Sequence, residues 1–312
     1  MYRTLRAAVV GLALIGQALA QGGPPAGAPV GVPGGGRVPP PPVIIGPPAP
    51  VPPEVRRPTP EEVSRINDAV TKWIAAYKSP DKALLQKYQP LLVVPPPRLL
   101  NVAATYTQTN QRMGPRHLGF VETASKGNID FLLEGDSITD WWVQGDANKA
   151  MFDKYFGSMK TANFAIAGDT TQGVLWGLKN GEGQGFQPKA VMLMIGTNNT
   201  ASSTGPEIAE GVGAVVLEMR KDFPNAKILL LAIFPRSTPG DPVRDKIAQV
   251  NSIISKLDDR RHVFYLDIGA KFLDDKGFFL QDAFRTDNLH PQAKGYDIWG
   301  TAVQSKIAEL MK

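Results

Sequence analysis

Five residues of this 312-residue chain have the types and the spacing for acyl transfer. Ser137 closes an apolar run in "FLLEGDS", and Gly168 and Asn198 follow later runs in "NFAIAGD" and "VMLMIGTNN". Asp287 and His290 stand three apart in "DNLHP". A serine hydroxyl is a weak nucleophile until a neighbouring base takes its proton. His290 can be that base, and Asp287 can hold the imidazole in the required tautomer and stabilise its charged form. The N–H groups of Ser137 and Gly168 and the side-chain amide of Asn198 would then give a developing oxyanion three donors. The pattern is not G-x-S-x-G, because Thr139 takes the last position. The chain also lacks G-x-G-x-x-G, the fingerprint of a dinucleotide site.

These residues are useful only if the fold brings them together. From Gly114 onward, apolar runs of strand length alternate with helical segments. Strands are expected over 129–134, 162–166, 190–195, 228–234 and 263–267. Helices are expected over 147–156, 174–178, 206–223, 242–257 and 291–311. Continuous apolar strands with helical crossovers imply a parallel sheet covered on both faces. The expectation is an α/β, doubly wound, flavodoxin-like sheet of about five strands, whose site lies at the carboxyl ends of the strands. Ser137, Gly168 and Asn198 all fall at such ends.

The first hundred residues read differently. Arg3 and Arg6 precede an apolar run over 7–15, and Ala18-Leu19-Ala20 follows. That is a secretory leader cut after about Ala20, so a secreted or periplasmic location is expected. The run is short for a membrane span, although a retained anchor is the alternative. No cysteine follows it, which excludes a lipoprotein anchor. The chain has no cysteine at all, so disulfides, thiol nucleophiles and Cys metal sites are excluded. Loss of Arg3 and Arg6 would take the formal charge from +5 to +3. With Lys and Arg scattered, nothing argues for nucleic acid. Residues 21–58 are mostly Pro and Gly and read as a disordered or partly polyproline II tether. Thr59-Pro60-Glu61-Glu62 carries a capping box, and apolar residues at helical spacing predict a helix to about Tyr77. A second helix is expected over 81–88. Residues 59–112 then form a helical extension packed on a catalytic domain over 113–312.

From about Arg116 to the end, the chain resembles the GDSL-type esterases of the SGNH hydrolase superfamily. Four blocks carry the resemblance in order: Gly135-Asp136-Ser137, Gly168, Gly196-Thr197-Asn198 and Asp287-x-x-His290. "NFAIAGDTTQGVLWGLKNGE" and "MIGTNN" look most like the platelet-activating-factor acetylhydrolase Ib catalytic-subunit branch and its bacterial relatives. The resemblance implies metal-free and cofactor-free hydrolysis of carboxylic esters. It also implies Ser137 as nucleophile, His290 as base, Asp287 as orienting carboxylate, and Ser137, Gly168 and Asn198 as the oxyanion hole. In that branch three positions crowd a short acyl group; here they hold Ile138, Thr197 and Leu289. Asp136 is counted beside substrate with them, though Asp136 and Asp169 read primarily as loop-fixing side chains.

The substrate is therefore expected to be a small ester or an acetylated saccharide. A lysophospholipase or thioesterase-like lipid esterase is the alternative. A hydrolase fold retained only for binding would be marked by a missing Ser, His or Asn, and none is missing. Neither stable membrane insertion nor a particular oligomer is indicated. The N-x-T pattern at Asn198 reads as accidental, because a glycan there would block the site. His117 and His262 read as solvated or capping, Trp176 as core, and Trp141 or Trp142 as a candidate cleft wall. "EMRKDFPNAK" reads as a solvated helix face.

Overall fold

The computed structural model describes residues 45–48, 59–94 and 101–312. The expected leader, and the expected tether apart from 45–48, lie outside the described residues. All described residues fall within one unit, Pro40–Lys312.

Within the span of the expected tether, strand β1 (Ile45–Pro48) pairs antiparallel with Thr105–Thr107. Its two consecutive prolines fall where the register shifts between Ile45 and Pro48, an irregular edge pairing of the kind that tolerates missing donors. Helix α1 (Pro60–Ala76) begins as the sequence demands. The Thr59 side chain takes the Glu62 N–H, the Glu62 carboxylate takes the Thr59 N–H, and Pro60 fills the first turn, where no N–H is needed. Val63 and Ile74 are buried, whereas Trp73 is half exposed and lies against Tyr77. Helix α2 (Lys82–Leu92) follows, and the Tyr88 hydroxyl donates to the Gly240 carbonyl at 2.8 Å.

The helical extension ends there. Residues 101–112 form a short turn, strand β2 (Thr105–Thr107) and another turn, and they are built into the main domain. Asn101 and Arg112 are buried. Helix α3 (Pro115–Ser125) follows, with Pro115 in its first turn.

Strand β3 (Phe131–Gly135) runs into the one-turn helix α4 (Ser137–Asp140), and α5 (Asp146–Phe156) follows. Strand β4 (Thr161–Asn163) is shorter than expected, because the chain past Asn163 turns into a loop. That loop still follows β3: Phe164 N–H donates to Leu133 and Ile166 N–H to Gly135. Next come α6 (Thr171–Gly177), β5 (Ala190–Met194), α7 (Gly205–Asp222), β6 (Lys227–Leu231), α8 (Pro242–Ile254) and β7 (Val263–Leu266). The last helix, α9 (Ala293–Leu310), starts two residues later than expected because Pro291 bridges to Phe284.

The five main strands are all parallel, in the order β4-β3-β5-β6-β7. This is the expected flavodoxin-like order, and its switch point lies between β3 and β5. Alternation of side chains divides the core in two. Leu132, Val191, Leu193, Ile228 and Leu230 pack on α6, α7 and α8. Phe131, Leu133, Met192, Met194 and Leu229 face the other way, toward Trp142 and, from α9, Tyr296 and Trp299. Gly135 pairs with Met194, so β3 and β5 end at one level, with Ser137 and Asn198 just beyond.

Candidate active site

Ser137 owes its place to the abrupt change from β3 to α4. Gly135 must be a glycine: a Cβ there would lie 2.4 Å from the Met194 carbonyl and 2.6 Å from the Thr139 hydroxyl. Asp136 caps α4 by accepting the Ile138 N–H at 3.0 Å. Ser137 is then the first helical residue, at the positive end of a one-turn helix.

The structure brings the three sequence-predicted triad positions together. His290 Nε2 lies 2.8 Å from Ser137 Oγ, and His290 Nδ1 lies 2.7 Å from Asp287 Oδ2. Asp287 also accepts the Leu289 and His290 N–H groups at 3.0 Å each, so one carboxylate shapes the loop and orients the ring. Burial pushes the Asp287 carboxyl up, but the hydrogen bonds from the His290 ring and from these two N–H groups outweigh it. The net position is below the ordinary carboxylate range. Such a chain of contacts can take a proton from the hydroxyl, hold the resulting imidazolium, and return the proton to a leaving group.

The three candidate oxyanion donors come from the ends of β3, β4 and β5. Gly168 has φ +80°, the left-handed conformation that favours glycine. Among the described residues, the N–H groups of Ser137 and Gly168 meet no protein acceptor. Asn198 donates one amide hydrogen to the Asp169 carbonyl at 2.7 Å, which fixes its orientation and leaves the other hydrogen free to donate.

Of the residues expected beside the acyl group, Ile138 and Thr197 are 1% and 0% exposed and Asp136 is 0% exposed. Ile138 belongs to the apolar core with Trp142 and Tyr296. Leu289 alone retains partial exposure. Asp136 does fix its loop, as the Ile138 bond shows, and burial pushes its carboxyl up to about 7.

Sequence reasoning missed what holds the candidate oxyanion donors. Arg112 is fully buried and pairs with Asp169 at 2.6 Å, with Glu134 at 2.8 Å and with Glu182. Burial alone would lower its affinity for the proton, but Glu182, Glu134 and Asp169 together raise it. Glu134 is pushed up to about 8 by burial, against the pull of Arg112 and with the repulsion of Glu182. Burial also raises Asp169. Asp169 takes a further hydrogen bond from the Thr109 hydroxyl at 3.1 Å, while its own carbonyl carries Asn198. Asp140 performs a parallel task. Arg116 grips it with two 2.8 Å bonds, and it accepts the Ala167 N–H at 2.9 Å, tying α4 to the Gly168 loop. No local signal marks these pairings of Arg112 and Asp140, because their ion-pair partners lie 22 to 70 residues away in the chain.

Other expectations need correction. His117 is not solvated: Nδ1 lies 2.7 Å from Glu182, and the ring packs on Trp176, which is core as expected. The N–H of His262 does take part in a cap, donating to Asp259 at 2.7 Å. The "EMRKDFPNAK" face is not wholly solvated, since Glu218 is buried between Lys179 and Lys221. The two tryptophans part company: Trp142 is core, and Trp141 stacks on His290 with ring centroids 4.0 Å apart.

Residues 134–298 match the sequence profile of the GDSL-like lipase/acylhydrolase family. The chain is 34% identical over 202 residues to platelet-activating factor acetylhydrolase IB subunit alpha2 of Homo sapiens, covering 64% of this chain and 85% of that protein. Among solved structures, a putative platelet activating factor protein from Streptococcus pneumonia aligns with a TM-score of 0.52 at 22% identity. That alignment covers 62% of this chain and 91% of the other. A putative acylhydrolase from Bacteroides fragilis gives 0.51 at 17% identity, covering 62% and 96%. These two likenesses concern the fold.

Proposed function

The chain belongs to the GDSL-like lipase/acylhydrolase family and is a hydrolase of that family, and from this premise we propose a serine esterase that removes short acyl groups, acetyl foremost. The single observation that carries the reading is the Ser137–His290–Asp287 chain, with contacts of 2.8 and 2.7 Å. In this reading His290 takes the Ser137 proton as Oγ attacks the ester carbonyl. The Ser137 and Gly168 N–H groups and the Asn198 amide receive the negative oxygen. Collapse transfers the proton from His290 to the departing alcohol and leaves an acyl-serine. Water then repeats the sequence and releases the acid. The short-acyl preference is supported by Leu289 beside His290 and by the acetylhydrolase name of the curated relatives.

The acceptor is read as acetylated carbohydrate, met outside the cytoplasm by a protein exported through its N-terminal leader. Among the described residues, no helix is long and apolar enough to cross a membrane. A second reading, a lipid acetyl ester, is favoured by the platelet-activating-factor name those relatives carry. An organophosphonate should label Ser137 and no other residue, with activity lost in step and a chelator without effect. Labelling elsewhere, or a metal requirement, contradicts the mechanism. The N-terminus of the exported protein, read by mass spectrometry, should fall near Gln21; an intact Met1 on exported protein contradicts the leader.

A further inference from the structure

On the esterase reading above, the departing alcohol lies beside His290 Nε2, where it must collect its proton. The groups around that position decide which alcohols fit. Trp141 stacks on the His290 ring, and the Arg285 guanidinium lies 4.5 Å from the centre of the Trp141 ring. Stacking occupies the face of a guanidinium and leaves its N–H edges free to donate. Arg285 is exposed, and its side chain has no hydrogen-bond acceptor or ion-pair partner among the described residues.

A second arginine lies on the Thr197 side. Arg236 donates Nη1 to the Thr197 carbonyl at 3.1 Å, one residue before Asn198. The next N–H along, that of Ser237, donates to the Asn288 carbonyl inside the His290 loop at 2.8 Å. Arg236 also forms no ion pair among the described residues. Arg244 holds this loop by giving its donors to the Arg236, Ser237 and Gly277 carbonyls, with the Asp241 charge nearby. Of the nearby carboxylates, Asp140 is paired with an arginine, while Asp287 and Asp241 keep their charge and are oriented by hydrogen bonds. Asp287 is bound to His290, Asp140 to Arg116, and Asp241 to the Ser237 hydroxyl and the Val243 N–H. Arg285 and Arg236 therefore set a guanidinium on each side of the nucleophile, neither within ion-pair distance of a carboxylate among the described residues.

We propose that Arg285, held on Trp141, and Arg236 form an anion-recognising rim that selects esters whose alcohol part bears a carboxylate or phosphate. A uronate residue of a polysaccharide and the phosphate of a glycerolipid both present this chemistry. A direct attraction of one exposed charge-assisted hydrogen bond is worth about tenfold in kcat/KM.

The test uses three matched acetates of one phenol series: 4-acetoxybenzamide, 4-acetoxybenzoate and 4-acetoxyphenyl phosphate. The full-length protein should favour the charged esters over the amide by about tenfold, and the preference should shrink as salt is raised. Arg285→Gln and Arg236→Gln should each reduce the charged-to-neutral ratio, and the double variant should bring it close to one. Lys306→Gln removes the same charge on α9, next to Glu309 and away from the cleft, and should leave the ratio as it was. The favoured anion separates the two sources: carboxylate points to a uronate, phosphate to a lipid headgroup. Good hydrolysis of the amide with no preference for either anion overturns the rim and leaves the esterase reading standing. A preference equally reduced by Lys306→Gln also overturns it. No hydrolysis of any acetate, with Ser137 unlabelled by phosphonate, overturns the esterase reading itself.

Discussion

The proposed base side and the proposed oxyanion side of this site are held in opposite ways. His290 and Asp287 come from one short loop, three residues apart, with side chains 14% and 44% exposed. The loop folds on itself through two N–H groups and one carboxylate. Gly168 and Asn198 hang instead from Asp169, whose carboxylate is anchored on Arg112 in a cluster with no solvent contact. A group that must exchange protons with substrate and water needs access. Donors that must already point at a charge before it forms need rigidity more than access. Buried ion pairs are expensive to desolvate and add little net stability, but removing one partner strands the others. The buried cluster is therefore best understood as fixing geometry, which the exposed loop achieves with local hydrogen bonds alone.

The contrast can be broken from either side. Asp287→Asn should lower kcat by about 10⁴ while leaving the unfolding midpoint nearly unchanged, because the exposed loop stabilises little. A large loss of stability would show that the loop is more than a local device. Arg112→Leu should act in the reverse sense, costing about 3–5 kcal/mol of stability by leaving three buried carboxyl groups without their cation. Chemical denaturation measures this, and a cost under about 1 kcal/mol would remove the cluster from the account. Asn198→Ala removes one donor and should cost about 10²–10³ in kcat with little change in KM. An unchanged rate would take Asn198 out of the site.

The two sides also answer pH differently. Glu134 is held protonated by burial up to about pH 8, well above its ordinary value near 4.5. The folded state therefore binds more protons than the unfolded state between those values, so this group's contribution to stability is full below about 4.5 and falls as pH rises through about 8. Thermal unfolding should show a higher midpoint at the acid end of that window, and Glu134→Gln should flatten the slope. Asp287 is depressed, so its contribution persists across the same window and is lost only in strong acid. The smallest effect is expected far from both sides. Thr59→Ala, which removes the cap of α1, should cost about 1 kcal/mol and leave kcat alone.

Legibility in the sequence follows the same division. The sheet was readable because its strands are continuous apolar runs between turn signals, and β4 and β6 were overdrawn, where Phe164 to Ile166 and Ala232 to Phe234 keep an apolar pattern inside a loop. Ser137, Asp287 and His290, which the structure brings into contact, were readable because local motifs mark them. Arg112 was not, because one arginine in "NQRMGP" has no periodicity and its meaning lies in Glu134, Asp169 and Glu182. The expected extension was legible only in part for a related reason. Its helices show helical spacing, but residues 101–112 are short turns whose place is set by long-range contacts. Trp141 and Trp142 are neighbours of the same type, and only the fold shows that one packs in the core and the other on His290.

The most direct test of the central claim is the initial rate on p-nitrophenyl esters of increasing acyl length, for the chain and for Ser137→Ala. Rapid acetate hydrolysis that has fallen away by butyrate, and that vanishes in the variant, is the predicted result. Full activity in Ser137→Ala, or a preference for octanoate and longer chains, would contradict it.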